Sequence, residues 1–200
     1  MASVYDLKPR FQSVLRPWVD GLAASGTTAN QVTLAAFALT ALAGLLIWVT
    51  SGHWLVLLLV PLVQFARMAL NAVDGMLARE HHQASDTGMF LNELTDVAGD
   101  AVLYLPFMVI AGTSSVLLAL VVTVGILVEM AGVLAPMIGA SRRYDGPFGK
   151  SDRAVAFGLL AVFIAFGLSP VWVNLALAVM LVLGTWTIVR RCRAAMHEVG

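Results

Sequence analysis

This sequence has little charge. Lys and Arg number 12, Asp and Glu number 12, and charged residues make up only 12% of 200. A soluble chain of this length would be nearer a quarter charged. The formal net charge is zero, so no global basic field exists to attract nucleic acid. Cys192 is the only cysteine, which excludes an intrachain disulfide and reads as a small buried or interfacial residue. No G-x-S-x-G, Walker A, C-x-x-C or heptad array occurs, so the hydrolase, nucleotide-loop, redox and coiled-coil readings lack their motifs. The first 25 residues lack the continuous apolar run of a signal peptide, because Asp6, Lys8, Arg10, Arg16 and Asp20 interrupt it.

What is abundant is hydrophobic, 60% of the chain, with a mean hydropathy of +0.87. Lipid is the main solvent for such side chains. The fold class expected is all-α and integral to the membrane, with residues 1–200 forming a single domain. Residues 1–25 read as an amphipathic helix in the headgroup plane, with Phe11, Val14, Leu15 and Trp18 facing lipid. Residues 31–190 read as six spans at 31–50, 55–79, 88–112, 115–138, 152–168 and 171–190, each the length a bilayer requires. Ser51-Gly52, Gly112-Thr113 and Ser169-Pro170 mark three tight turns between them. Those turns contain no Lys or Arg, and all the cations except Arg67 gather at the opposite side. The positive-inside rule then puts both termini in the cytoplasm. Trp48, Trp54 and Trp172 belong to the aromatic belt of the uncharged side.

Arg67, Asp74, Glu93, Asp96, Asp100 and Glu129 fall within spans, where charge is costly and by default functional. At helical spacing Arg67, Asn71, Asp74 and Ala78 share a face of span two, and Asn92, Asp96 and Asp100 share a face of span three. Both faces reach the same cytoplasmic surface and can converge just inside the membrane. Oxygen ligands gathered there suit a hard divalent cation, Mg²⁺ or Mn²⁺. A hydrogen-bonded polar cluster that stabilises the bundle is the structural alternative.

The run from Asn71 through Asp74-Gly75, Ala78-Arg79, Gly88 and Asn92 to Asp96 resembles the signature of the CDP-alcohol phosphotransferase family, D-x2-D-G-x2-A-R-x8-G-x3-D-x3-D. Six of eight fixed positions match with every spacing intact. The resemblance implies a bacterial inner-membrane enzyme of phospholipid synthesis. Such an enzyme transfers a phosphatidyl-type group from a CDP-alcohol, usually CDP-diacylglycerol, to an acceptor hydroxyl and releases CMP. It further implies one or two divalent metals held at positions 71, 74, 92 and 96, with Asp96 taking the acceptor proton. Gly75, Ala78, Arg79 and Gly88, with Asn30 and Thr33 of the segment 27–33, would serve the CDP-alcohol. The departures are Asn71 and Asn92, which stand where the family has aspartate and remove two negative charges. Asp100 and Glu93 are placed to restore them.

Three further features have two readings each. Arg142, Arg143, Lys150 and Arg153 could bind an acceptor phosphate, as similar stretches do in relatives with phosphorylated acceptors, or could simply follow the positive-inside rule. Residues 27–33 could also be ordinary helix capping. Gly125, Gly132 and Gly139 could permit close helix contact, inside one chain or across a homodimer, with Glu129 pairing Arg67. His81 and His82 read as a solvated loop. The expected partners are a CDP-lipid, a small alcohol or phosphorylated alcohol, and membrane lipid. A catalytically impaired relative that binds CDP-lipid or partner enzymes, and a small membrane carrier, are the competing functions.

Overall fold

The computed structural model describes residues 4–200, with side chains from residue 11 onward. Asp6, Lys8 and Arg10 therefore lie outside the described side chains. Helix α1 covers Val4–Ala24, α2 Ala29–Val49, α3 Trp54–Glu80 and α4 Asp86–Tyr104. Then follow α5 over Ser115–Leu134, α6 over Lys150–Ala165 and α7 over Pro170–Val199. No strand occurs among the described residues. Helices α2, α3, α7 and α5 with its extension to Ile138 are long and apolar enough to cross a membrane. Helix α4 is not counted with them because Asp86, Glu93, Asp96 and Asp100 break its hydropathy, and α6 is only 16 residues long.

Proline decides where two helices end. Pro106 and Pro136 lack the N–H that an α-helix needs, and both sit in short 3-10 turns, Leu105–Val109 and Ala135–Ile138. Helix α7 has no such stop and runs nine residues beyond the expected end at 190. Thr28 caps α2, accepting from the Gln31 N–H while Gln31 returns a bond to the Thr28 N–H.

Helix α2 is the hub, packed on both α3 and α4, while α3 also packs on α6 and α5 on α7. Gly44 lets α2 approach closely, since a Cβ there would lie 2.0 Å from the Val102 carbonyl oxygen. Tyr104 stacks on Phe157 with centroids 3.9 Å apart, and Phe107 meets the same ring edge-on. These aromatics belong to the main apolar core with Leu57, Val121 and Leu177. The three polar turns meet at one end, where Asn174 accepts from the Ser114 N–H and donates to the Gly112 carbonyl. Trp48, Trp54 and Trp172 are exposed there.

Helix α1 departs in part from the expected lipid-facing pattern. Val14 and Trp18 are exposed, but Leu15 packs on α3 and Phe11 meets Phe65 edge-to-face at 6.3 Å. The cause is a strap: Arg16 clamps Glu80 with two bonds of 3.0 Å, and Asp20 pairs with His81 at 3.1 Å. Cys192 is exposed rather than buried.

The small-residue stripe of α5 also has a different use. A Cβ at Gly125 would lie 3.2 Å from Arg153 Cδ, and one at Gly132 would lie 3.0 Å from Arg191 Nη1. Gly139 is not on the helix at all; it takes φ +88° in the turn that ends it. Gly125 thus lodges the Arg153 side chain, and Gly132 makes room for the Arg143 carbonyl oxygen, 2.6 Å from where a Cβ would be, and for the Arg191 guanidinium.

Candidate active site

Helices α3 and α4 run antiparallel and meet through polar rungs. Gln64 Nε2 donates to Tyr104 Oη at 2.7 Å, Arg67 Nη1 to Asp100 Oδ1 at 2.7 Å, and Asn71 Nδ2 to Asp96 Oδ1 at 3.0 Å. On α4 the rungs fall every four residues, so the periodicity of one helix face sets their spacing. Above the last rung the two helices form one side of a cavity of about 700 Å³ that α2, α5, the 139–149 loop and the ends of α6 and α7 also line. All eight signature positions, Asn71, Asp74, Gly75, Ala78, Arg79, Gly88, Asn92 and Asp96, line it. Asn30 and Thr33 of α2 line it as well, and so do Glu93, Arg142 and Lys150.

Several residues at the α2–α3–α4 side are set by a neighbour. Thr33 Oγ1 donates to Asp74 Oδ2 at 2.8 Å, holding that carboxylate against α2. Gly88 has no side chain because Asn30 is there: a Cβ would lie 2.7 Å from Asn30 Oδ1. Gly75 leaves room for the Arg79 guanidinium, 3.1 Å from where a Cβ would be. The segment 27–33 thus divides its work, Thr28 capping the helix while Asn30 and Thr33 reach the cavity.

The central carboxylate is Asp96. Its Oδ1 accepts from Asn71, lies 2.5 Å from Lys150 Nζ and 3.7 Å from Arg67 Nη2. Arg67 also donates to the Asp96 backbone carbonyl at 2.7 Å, so it grips the residue at two points. Gly99 admits this guanidinium, since a Cβ would stand 2.8 Å from Arg67 Nη2.

Two residues expected at the site lie elsewhere. Asp100 does not line the cavity; it is buried and bonded to Arg67 and to Arg153 Nε and Nη2. Arg153, expected at an acceptor phosphate, is buried in the same cluster and also bonds Glu129 at 3.0 Å. Glu129 pairs with Arg153 and Arg191, not with Arg67. Desolvation explains this rearrangement: a buried charge must find partners, and the five residues from Arg67 to Arg191 pair with one another, with only Arg153 Nη1 left without a hydrogen-bond partner. Glu93 does not restore charge to the cavity either, because Arg142 takes both of its oxygens.

Arg143 also points away from the cavity, held by Asp145 at 2.8 Å and by Glu198. Beside that guanidinium the Asp145 carboxyl is held below the usual carboxylate range. Sequence reasoning missed Arg191, which lines the cavity while donating to the Val128 carbonyl at 2.5 Å. The recurrence of glycine one helix away was its only trace in the sequence.

The donor atoms around Asp96 allow a test for metal. Asp74 and Asp96 supply two carboxylates, and Asn71 and Asn92 supply amide oxygens. That all-oxygen set with two negative charges fits one divalent cation. No group of three or more His, Cys, Asp or Glu that could hold a metal occurs among the described residues, so the two amides would have to complete the set.

The architecture defines a helical membrane protein with a polar cavity built on a two-helix signature. A sequence profile of the CDP-alcohol phosphatidyltransferase family matches residues 26–189. The chain belongs to that family. It is similar to the inner membrane protein YnbA of Escherichia coli strain K12, with 46% identity over 197 residues, 97% of this chain and 96% of that one. Its fold is similar to Mycobacterium tuberculosis phosphatidylinositol phosphate synthase PgsA1. With CDP-DAG bound, that structure gives a TM-score of 0.72 at 17% identity, covering 92% of each chain. With manganese and citrate it gives 0.78 at 17% identity, over 92% of this chain and 90% of that one.

Proposed function

We propose that this protein is a membrane phosphotransferase that moves a phosphatidyl-type group from a CDP-alcohol, CDP-diacylglycerol by preference, to an acceptor hydroxyl. The observation that carries this reading is that all eight signature positions line one cavity. A family signature scattered over a bundle would carry nothing; eight positions facing one space form a binding site.

In this reaction the acceptor oxygen forms a bond to the lipid-bearing phosphorus as the bridging oxygen to CMP departs. Asp96 takes the hydroxyl proton. Lys150 and Arg67 hold its carboxylate in place, and Asn71 aims it. Arg79 has no carboxylate partner among the described residues and faces the diphosphate. Asp74, Asp96, Asn71 and Asn92 would hold one Mg²⁺ or Mn²⁺, which when bound neutralises diphosphate charge and steadies the CMP leaving group. Holding both reactants in one cavity supplies the orientation that an in-line displacement needs.

The same reading carries six spans, α2 to α7, with α1 at the interface and both termini cytoplasmic. The α4 acids are covered by the arginines described above, which lets α4 cross despite its composition. Labelling single cysteines at positions 80–86 and 141–150 in a Cys192-free variant, from outside the cell, should fail.

The deciding assay uses protein in lipid nanodiscs with CDP-diacylglycerol, Mg²⁺ or Mn²⁺, and a panel of labelled alcohols. CMP release coupled to a new lipid is the expected result. Binding of CDP-lipid with no CMP release under any condition would favour a catalytically impaired relative. Asn71 is the residue behind that second reading, because its amide nitrogen faces Asp96.

A further inference from the structure

Each cation lining the α5–α6–α7 side of the cavity faces a carboxylate, and only Arg142 Nε is buried without a partner. Arg142 gives both terminal nitrogens to Glu93. Lys150 pairs with Asp96, and Arg191 lies 3.5 Å from Glu129 while its nitrogens engage the carbonyls of Val128 and Asp145. Arg143 and Arg153, which would complete a phosphate-binding cluster, point elsewhere and are paired with acids of their own.

A phosphomonoester dianion needs net positive charge where it lands. This half of the cavity offers none, since each cation that lines it faces a carboxylate. Arg191 is 2% exposed, so it cannot turn to a new partner without abandoning Glu129 inside the bundle. Binding of the donor at Asp96 would release one lysine, leaving Arg142 and Arg191 paired. Paired carboxylates and guanidiniums do suit hydroxyl groups, which can donate to the acids and accept from the bases at once.

We infer that the acceptor is a small alcohol carrying no phosphate, a neutral polyol, bound through hydroxyls between Glu93–Arg142 and Glu129–Arg191. This inference rests on the phosphotransferase reading for its catalytic arm and not for its binding arm.

The test has both arms. In nanodiscs with CDP-diacylglycerol and Mn²⁺, glycerol should drive CMP release at least about ten-fold better than glycerol 3-phosphate at equal concentration, a difference of about 1.4 kcal/mol. Preference for glycerol 3-phosphate would overturn the inference. Separately, calorimetry with glycerol 3-phosphate and no donor should show no binding to the wild-type protein at millimolar concentration. Glu93→Gln, which frees Arg142, should gain binding by about ten-fold or more, the scale of one charge-assisted hydrogen bond. Wild-type binding that Arg142→Gln abolishes would sink the inference, as would a Glu93→Gln protein that is folded by circular dichroism yet gains nothing. If no acceptor releases CMP, the phosphotransferase reading fails, and the calorimetric arm still decides what this half of the cavity binds.

Discussion

The two halves of the cavity are made differently. The half formed by α2, α3 and α4 comes from one short stretch of chain plus the start of α2. Its polar groups are held singly: Asp74 by Thr33, Gly88 spaced for Asn30, and Arg79 without a carboxylate partner among the described residues. The other half is assembled from α5, the 139–149 loop, α6 and the end of α7 against the far face of α4, and its charges interlock as Glu93–Arg142, Asp100–Arg153, Glu129–Arg153 and Glu129–Arg191. The first half is organised to receive charge from a ligand. The second has its charges matched internally. A run of basic residues in sequence is therefore a poor guide to anion binding when the carboxylates that meet it lie on other helices.

Substitutions can separate the halves. The largest effect is expected at Asp96, which touches both. Asp96→Asn preserves shape but removes the proton acceptor and one of the two carboxylates proposed for the metal, and should lower CMP release by about 10²–10⁴-fold, measured as CMP formed at saturating CDP-lipid and Mn²⁺. Equal turnover would remove Asp96 from the chemistry.

In the interlocked half, Arg153→Met keeps volume but leaves Asp100 and Glu129 short of a partner. A buried carboxylate left this way should cost about 3–5 kcal/mol, read as an earlier thermal unfolding in detergent. If Arg153→Met instead unfolded normally and raised only the acceptor KM, the distinction between the halves would fail.

Thr33→Val removes the hydroxyl that fixes Asp74 and should raise the CDP-lipid KM by roughly ten-fold, the worth of a hydrogen bond to a charged group. The acceptor KM should not move. Gly99→Ala forces a methyl against the Arg67 guanidinium and should destabilise by about 1–3 kcal/mol as overpacking does. It should also reduce turnover by loosening the grip on Asp96.

The smallest effect concerns the 139–149 loop. Asp145 is held ionised by Arg143, so its folded pKa is lower than its unfolded one. Its contribution to stability is present above the ordinary carboxylate range, about pH 4, and fades as pH falls through the depressed value. Asp145→Asn should therefore lower neutral-pH stability slightly, flatten the acid limb of the unfolding profile by the same small amount, and leave stability at low pH nearly unchanged.

The donor half was largely readable because helix periodicity and signature spacing are both local. Asn71, Asp74, Asn92 and Asp96 fall on faces four residues apart, and two helices joined by a short loop bring those faces together. The partners of Arg67 were not readable. Glu129 and Asp100 are both acids at a plausible depth, and only the lateral arrangement of helices, with α2 packed on both α3 and α4, favours Asp100. Asp100 shares a face with Asp96, yet one turn of α4 carries it out of the cavity and into the ion cluster. The glycines of α5 misled for a related reason. A missing side chain reports space without saying what fills it, and here the occupants are the Arg153 and Arg191 side chains and the Arg143 carbonyl, all further along the chain.

That ion cluster also has an order in time. Its members occur in the chain as Arg67, Asp100, Glu129, Arg153 and Arg191. During synthesis from the N-terminus, Arg67 and Asp100 are made first and can pair with each other. Glu129 follows as the acid in excess, and α6 and α7 then each bring an arginine to a site where a counter-charge is already waiting. Helix α6, short and bearing Arg153, gains its place from neighbours made before it.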